Sequence, residues 1–305
     1  MAIINQALAR LRAGKPVVGV CLGFPCPAMV ELCAYVGFHF VRLDCEHGPM
    51  DPLSVEEHVR AAEAAGISVL VRPPTNAAHE ILRYLDTGAN GVVVPHIETR
   101  ADAEAAVQAA FFHPLGQRGM ASARWTRYGT AGPMAELIRQ ANENILLIAL
   151  IESAKGLENL REILSVEGVN AVQIGPQDLS QSLRLPAQIA HPTVQAAIDR
   201  IIDEGRAAGK WVSMAAYGGV TVKKQIERGV MITEVMAKDL VEQSGRALLK
   251  ELQLDWREGR PDHKGGLEIS SLSQIRPPTQ RNKRFRAALA EGNRRYGKML
   301  KRLAD

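Results

Sequence analysis

Eight short apolar runs, spread over the first 236 residues, constrain the fold of this chain more than any other feature. Each is five to seven residues long and rich in β-branched side chains, as expected of parallel strands that are covered on both faces. The runs are VVGVC (17–21), FHFVRL (38–43), ISVLVR (67–72), GVVVP (91–95), ILLIALI (145–151), AVQIG (171–175), WVSMA (211–215) and VMITEVM (230–236).

Helical patterns fill the intervals between these runs. SVEEHVRAAEAAG and HPTVQAAIDRIIDEGRAAG are examples, and both end in glycine, a common helix C-cap. Eight strands alternating with helices over about 250 residues predict a (β/α)8 TIM barrel. A doubly wound open sheet is the alternative, but CLGFPCPAM stands after the first run, where a dinucleotide fold needs a glycine-rich phosphate loop.

Composition indicates a globular protein of a reducing compartment. The 305 residues are 46% hydrophobic, which is enough for a large core. Cys21, Cys26, Cys33 and Cys45 match no common zinc spacing, so we expect free thiols. No apolar run reaches the ~20 residues of a membrane span, and residues 1–16 lack the apolar segment of a signal peptide. We therefore expect a soluble cytoplasmic protein.

The positive charge of the chain is concentrated near its C-terminal end. Residues 256–305 carry 13 Lys and Arg against 5 Asp and Glu, whereas the other residues carry 24 against 28. We accordingly expect a barrel domain over 1–255 and a basic linker and helix over 256–305, with a role in oligomer contact. Nucleic-acid binding is the competing interpretation, but the tail has few aromatic side chains for base stacking, so we expect no nucleic-acid partner.

A long basic loop is predicted at residues 112–133, FHPLGQRGMASARWTRYGTAGP, after the fourth strand. Loops of this length inside a compact domain are usually functional or disordered. Arg118, Arg124 and Arg127 could bind an acidic or polyhydroxylated substrate tail, and subunit contact or solubility is the equally open alternative.

Polar side chains follow five of the predicted strands, at the end of the barrel where TIM-barrel enzymes carry their active sites. Each has an ordinary structural explanation when taken singly: an acid can cap a helix, an arginine can pair with an acid, and a histidine can lie at the barrel rim. The residues are Asp44, Glu46 and His47 after the second strand, Arg72 after the third, His96 after the fourth, Glu152 after the fifth and Asp178 after the sixth.

Taken together, these residues indicate a site for a divalent cation. Glu152 and Asp178 follow adjacent strands, and paired carboxylates suit Mg²⁺ or Mn²⁺, which leave their other positions to water and substrate oxygens. Arg72 supplies a fixed positive charge for a developing oxyanion. His47 supplies an imidazole, the side chain whose ordinary pKa of ~6.5 suits proton transfer at neutral pH.

Several longer motifs occur in one order over roughly residues 15–240. In these stretches the chain resembles the HpcH/HpaI aldolase (citrate lyase) family of metal-dependent class II pyruvate aldolases, such as 4-hydroxy-2-oxoheptanedioate aldolase. The resemblance implies a barrel of the phosphoenolpyruvate/pyruvate superfamily and a homo-oligomer, such as a hexamer built by exchange of C-terminal helices. The motifs are RLDCEHGPMD, VRPP, ILRYLDTGANGVVVPHIETRADAEAAV, GQRGMASARWTRYG, IESAKGLENLREILSVEGVNAVQIGPQDLSQSL and HPTVQAAI.

The resemblance also implies roles for single residues. Glu152 and Asp178 are implied to hold the divalent cation, which is Mg²⁺, Mn²⁺ or Co²⁺. Arg72 is implied to stabilise the enolate oxygen, and His47 to be the general base. Asp86, in the stretch LDTGA, is implied to raise the basicity of that histidine.

The turn after the sixth strand is implied to bind the substrate carboxylate through backbone amides, and it comprises Gly175, Pro176, Gln177 and Asp178. Two positions depart from the family. Many family aldolases carry a substrate-binding glutamine where this chain has Leu150, and Gln177 stands where alanine is common. Both departures leave the details of the substrate pocket open.

The remaining polar residues are expected to support the site. Proximity in sequence favours Asp44 as the carboxylate that orients His47, although the resemblance implies Asp86 in this role. We keep Asp44 and Glu46 as supporting carboxylates, and we place His96, Arg118 and Arg124 in the expected aldehyde pocket.

The expected reaction is the reversible cleavage of a 4-hydroxy-2-oxo acid into pyruvate and an aldehyde, through a pyruvate enolate that the metal stabilises. His47 would remove the 4-hydroxyl proton, and no Schiff-base lysine is required. The alternative uses the same enolate for decarboxylation of oxaloacetate or for another carbon–carbon bond formation, as in macrophomate synthase.

Overall fold

The fold is a closed barrel of eight parallel strands, seen in a computed structural model that describes residues 5–252. Each strand pairs with the next one in the chain, and the last pairs with the first, which confirms the predicted TIM barrel. The strands are β1 (Val17–Leu22), β2 (Phe40–Asp44), β3 (Ser68–Arg72), β4 (Gly91–Val94), β5 (Leu146–Ile151), β6 (Ala171–Ile174), β7 (Trp211–Ala216) and β8 (Ile232–Met236).

Helices precede, separate and follow the strands, and glycine ends two of them at left-handed φ angles, 103° at Gly37 and 75° at Gly66. The stretch AKGLENLREIL forms two short helices that meet at Asn159, whose side chain donates a hydrogen bond to the Glu98 carbonyl. The helices are α1 (Gln6–Arg12), α2 (Pro27–Val36), α3 (Pro52–Ala65), α4 (Ala78–Asp86), α5 (Arg100–Ala110), α6 (Met134–Asn144), α7 (Ala154–Glu158), α8 (Leu160–Leu164), α9 (Pro176–Ser182), α10 (Pro192–Ala207), α11 (Gly219–Glu227) and α12 (Ala237–Glu251).

The barrel interior changes from apolar to polar along its axis. Leu8 and Leu11 of α1 are buried with Phe40 and Leu70, so that the first helix packs against the apolar end of the barrel. Strands β2 to β6 are buried at every residue, because helices cover their outer faces and neighbouring strands fill the inside.

A polar group lies in the middle of the barrel, and the sequence patterns did not single it out. Arg42 of β2 binds Glu234 of β8, with 2.6 Å between Nη2 and Oε1, and both side chains are buried. Gln173 donates to the same carboxylate, and Ser213 donates to Gln173. A charged residue inside an apolar run, as in VMITEVM, was the available signal for this group.

Three expectations concern the chain as a whole. All four cysteines are free, as expected. Among residues 5–252, no helix is both long enough and apolar enough to cross a membrane. The basic linker and helix expected over 256–305 lie outside the described residues.

Candidate active site at the C-terminal rim

The C-terminal rim, meaning the end of the barrel where the strands finish, begins with an ion pair between β2 and β3. The strand register sets Asp44 opposite Arg72, and Arg72 Nε donates to Asp44 Oδ1 over 3.0 Å. Burial opposes ionisation of Asp44, but the hydrogen bonds from Arg72 and the charge of Arg42 outweigh it and lower the pKa of this carboxyl. Asp44 therefore remains a carboxylate that holds the guanidinium in place.

Further polar contacts connect this ion pair, by way of Glu46 and His96, to Glu152. Arg72 Nη1 lies 3.0 Å from Glu46 Oε2, and Glu46 Oε1 lies 3.2 Å from His96 Nε2. The other ring nitrogen of His96, Nδ1, lies 3.4 Å from Glu152 Oε1. We call these five residues, Asp44, Arg72, Glu46, His96 and Glu152, the rim row.

Glu152 is a buried acid at the far end of the row from Asp44, with 7% of its surface exposed. Burial raises its pKa, and the hydrogen bond from the His96 backbone N–H, 3.0 Å long, offsets this only in part. The turn after β6 packs directly against this acid, because a Cβ at position 175 would come within 2.7 Å of the Glu152 Cβ. Glycine at position 175 permits that close approach.

The donor set of the rim row fits a divalent cation. One ligand atom from each of Glu46, His96 and Glu152 lies within 4.8 Å of the others, and carboxylate and imidazole are common ligands of divalent metals. A cation would also relieve the cost of burying Glu152 as a carboxylate. Among the described residues, Asp178 is not part of this group: it is exposed in the first turn of α9, and its charge contributes to raising the pKa of Glu152.

His47, the expected general base, is exposed at the rim. Its backbone N–H donates to Asp44 Oδ1 over 3.2 Å, and its Nε2 lies 4.0 Å from Glu46 Oε2. Two-thirds of its side-chain surface, 66%, remains exposed, so the ring is open to a substrate. Asp44 thus orients the backbone of the segment that carries His47.

The structure gives Asp86 a partner other than His47. Asp86 Oδ1 accepts a hydrogen bond from Arg118 Nη2 over 2.8 Å, because Asp86 ends helix α4 on the outer ring of the barrel. The Arg118 guanidinium also lies 4.8 Å from the ring centre of Phe112 and 5.3 Å from that of Trp125. Burial lowers the pKa of Arg118, and Asp86 opposes that shift. Among the described residues, Arg118 is thus the polar partner of Asp86, and the expected effect of Asp86 on His47 stays a prediction.

The loop over residues 112–133 is long and irregular as predicted, with a single short 3-10 turn at Arg124–Thr126. Arg124 forms two hydrogen bonds with the Glu63 carboxylate and a third with the Thr87 carbonyl. Both Arg118 and Arg124 are buried and paired, which corrects their expected place in the aldehyde pocket. Arg127 is exposed and stays a candidate for substrate contact.

A closed parallel barrel with ionisable side chains collected at the carboxyl ends of its strands defines a TIM-barrel enzyme. The sequence model of the HpcH/HpaI aldolase/citrate lyase family matches residues 21–238, and the chain belongs to this family. It is accordingly an aldolase, a carbon–carbon lyase.

Individual relatives agree with the family assignment. A hydroxypyruvate/pyruvate aldolase of Pseudomonas aeruginosa is 34% identical over 251 residues, which are 80% of this chain and 92% of the relative. A 4-hydroxy-2-oxo-heptane-1,7-dioate aldolase of Shigella sonnei is 33% identical over 236 residues, 76% of this chain and 88% of the relative. A crystal structure of a family protein from Burkholderia cenocepacia superposes with a TM-score of 0.77 at 30% identity, covering 82% of this chain and 99% of that one. The resemblance seen in the motifs is confirmed.

Proposed function

We propose that this aldolase reversibly cleaves a 4-hydroxy-2-oxo acid into pyruvate and an aldehyde. The observation that carries the proposal is the rim row, which joins three carboxylates, an arginine and a histidine, and whose buried acid Glu152 lies beside the turn at Gly175. The names of the relatives from Pseudomonas aeruginosa and Shigella sonnei support a pyruvate or 2-oxo acid substrate.

A divalent cation, either Mg²⁺, Mn²⁺ or Co²⁺, belongs to the proposal, with Glu152 and Asp178 as carboxylate ligands. When bound, such a cation supplies a Lewis acid for the 2-keto oxygen of the substrate. The burial of Glu152 and the influence of the Asp178 charge on its pKa support this assignment, because both acids would be stabilised as carboxylates by a nearby cation.

The side chains of the chain itself supply the other functions. Arg72, held by Asp44 and Glu46, keeps a guanidinium charge at the rim for the oxygen that becomes negative during cleavage. His47, open to solvent, takes the proton from the 4-hydroxyl group when the bond between C3 and C4 breaks. The backbone amides that follow Gly175 bind the carboxylate of the pyruvate half.

The aldehyde half is proposed to be polar. Gln177 and Arg127 are both exposed, and both can donate hydrogen bonds to hydroxyl or carboxylate groups. Leu150, at the position where many family aldolases carry glutamine, is buried, and its side chain reaches toward Gly175. The floor of the pyruvate pocket is therefore apolar on this side.

We also propose that the chain forms a homo-oligomer in the cytoplasm. Leu32 and Val36 of α2 and Val241 and Leu248 of α12 are exposed apolar side chains along one groove. Apolar surface of this kind is typical of protein contacts. Four free cysteines support a reducing compartment.

The test of the proposed function is a screen for aldol formation and cleavage with added Mg²⁺, Mn²⁺ and Co²⁺ and with an EDTA control. We expect the protein to release pyruvate from 4-hydroxy-2-oxo acids. EDTA should abolish this release, and Glu152→Ala and His47→Ala should each reduce it strongly. Full activity in EDTA or in Glu152→Ala contradicts the metal mechanism. Rapid loss of oxaloacetate without any aldol product would replace the aldolase with a decarboxylase.

A further inference from the structure

The rim row contains an imidazole that the proposed mechanism leaves without a role. His96 follows β4 and lies between two carboxylates, with Nδ1 3.4 Å from Glu152 Oε1 and Nε2 3.2 Å from Glu46 Oε1. Each ring nitrogen thus faces a different acid. The side chain is still 64% exposed, so its position is set by these polar neighbours and not by packing in the core.

The backbone holds the ring in this position. The His96 N–H donates to Glu152 Oε1 over 3.0 Å, and the φ angle of 57° is left-handed, a conformation that histidine and asparagine adopt more readily than most residues. Glu46 is held independently, because Arg72 Nη1 lies 3.0 Å from its Oε2. Both acids therefore have positions that do not depend on the imidazole.

Histidines that bind metals usually donate their second ring N–H to a carboxylate or a carbonyl, which fixes the tautomer and turns the free lone pair toward the metal. Glu46 can accept such a bond from Nε2–H, and the Nδ1 lone pair then faces the side of Glu152. Nδ1 lies 3.4 Å from Glu152 Oε1, a separation that a single cation can bridge.

We propose that His96 Nδ1 is a nitrogen ligand of the divalent cation beside Glu152, with Glu46 as the carboxylate that fixes its tautomer. This inference rests on the proposed function, since it concerns the same cation. Imidazole suits first-row transition metals, whereas Mg²⁺ prefers oxygen ligands. The site consequently selects Co²⁺ over Mg²⁺, and His96 is the source of that selectivity.

The test compares metal binding by the full chain and by His96→Asn, since asparagine tolerates the left-handed backbone and offers an oxygen in place of the imidazole nitrogen. Titration calorimetry of the metal-free protein is expected to show a loss of at least ~10-fold in Co²⁺ affinity, because even residues behind a metal ligand contribute that much. The affinity for Mg²⁺ is expected to stay unchanged. His79→Asn, which removes an exposed histidine of α4, is the matched control and should leave both affinities unchanged.

A second measurement reports nitrogen ligation directly. Electron spin echo spectra of the Mn²⁺-loaded chain should contain ¹⁴N modulation from a coordinated imidazole, and this modulation should persist in His79→Asn and disappear in His96→Asn. Absence of the modulation from the wild type, or its persistence in His96→Asn, overturns the inference.

Cleavage assays on the same samples separate the two proposals. Metal-dependent cleavage by the wild type, together with equal Co²⁺ affinity in His96→Asn, rejects the role of His96 and leaves the aldolase proposal standing. Nitrogen ligation without metal-dependent cleavage in the wild type rejects the aldolase proposal and leaves the metal ligand in place.

Discussion

Asp86 has two possible roles, and they lead to different measurements. The family resemblance implies that this acid raises the basicity of His47, whereas the structure pairs it with the buried guanidinium of Arg118. An acid that holds a buried arginine stabilises the fold, and an acid beside a general base alters the pH dependence of the reaction. The contact seen in the structure favours the first role.

We predict that Asp86→Asn lowers the free energy of unfolding by about 1–3 kcal/mol, because a hydrogen bond to a charged, buried group is weakened. The acidic limb of the profile of kcat/KM against pH should not move. Urea unfolding and steady-state assays of cleavage measure the two effects. A shift of the acidic limb with unchanged stability would instead support the role implied by the family.

Two buried thiols make stability depend on pH in a defined direction. Burial raises the pKa of Cys21 and of Cys45 to about 12. The thiols of an unfolded chain lose their protons near pH ~8.5, whereas the folded chain keeps them. Above that pH the unfolded state binds fewer protons than the folded state. The contribution of these thiols to the free energy of unfolding is therefore fully present below pH ~8.5 and is lost as the pH rises toward 12.

We predict that Cys21→Ala makes this fall shallower by about 1.4 kcal/mol per pH unit between pH 9 and 10, since each thiol contributes one proton to the difference. The stability at pH 7 is expected to drop modestly, because a small side chain is removed from the core. Urea unfolding at each pH measures the slope. If the free energy of unfolding falls with pH at the same slope in the wild type and in the variant, the pKa of Cys21 is not raised in the folded chain.

At the level of secondary structure, the Arg42–Glu234 pair joins strands β2 and β8 on either side of β1, inside the barrel. The Arg42 Nη1 atom also lies 3.9 Å from the Asp44 carboxylate, which in turn holds Arg72. Charges in the middle of the barrel therefore support the geometry at its rim. A change at Glu234 is expected to affect both stability and activity.

We predict that Glu234→Ala lowers the free energy of unfolding by about 3–5 kcal/mol, because it leaves the Arg42 charge buried without its main partner. The double variant Arg42→Met with Glu234→Leu should lose less than Glu234→Ala, since it removes both charges and keeps the volume filled. Urea unfolding of both proteins tests this. A double variant that loses more stability than Glu234→Ala contradicts the explanation.

At the level of the whole molecule, α2 and α12 present an apolar surface to solvent, and Val241, one of the residues that line it, has 62% of its surface accessible. Packing against a second copy would remove this surface from water. The assembled form is thus expected to be the stable one.

We predict that Val241→Glu shifts the protein toward smaller species, because a buried contact between copies would then include an unpaired charge. Gln243→Glu places the same charge on an exposed neighbouring position of the helix and is expected to leave the size unchanged. Light scattering measures both. A wild type of monomeric mass, or an unaltered size in Val241→Glu, contradicts the proposed contact.

The fold could be predicted from the sequence. All eight apolar runs became strands, with ends displaced by at most two residues, as at 38–43 for β2 (Phe40–Asp44). Strands that are buried on both faces are easy to recognise in a sequence, because almost every residue in them must be apolar. The polar residues of the rim were also identified, since parallel strands in a barrel all finish at one end.

The partners of those residues could not be read from the chain. Asp44 and Arg72 are opposite because of the register of β2 and β3, and His96 reaches Glu152 because β4 and β5 are neighbours. Asp86 joins Arg118 because the end of α4 and the long loop meet on the outside of the barrel. The sequence by itself, through local patterns of hydrophobicity, determined which segments form strands and that the polar residues after them lie at one end of the barrel. Contacts between segments distant in sequence depend on register and side-chain direction, and these were settled only when the barrel closed.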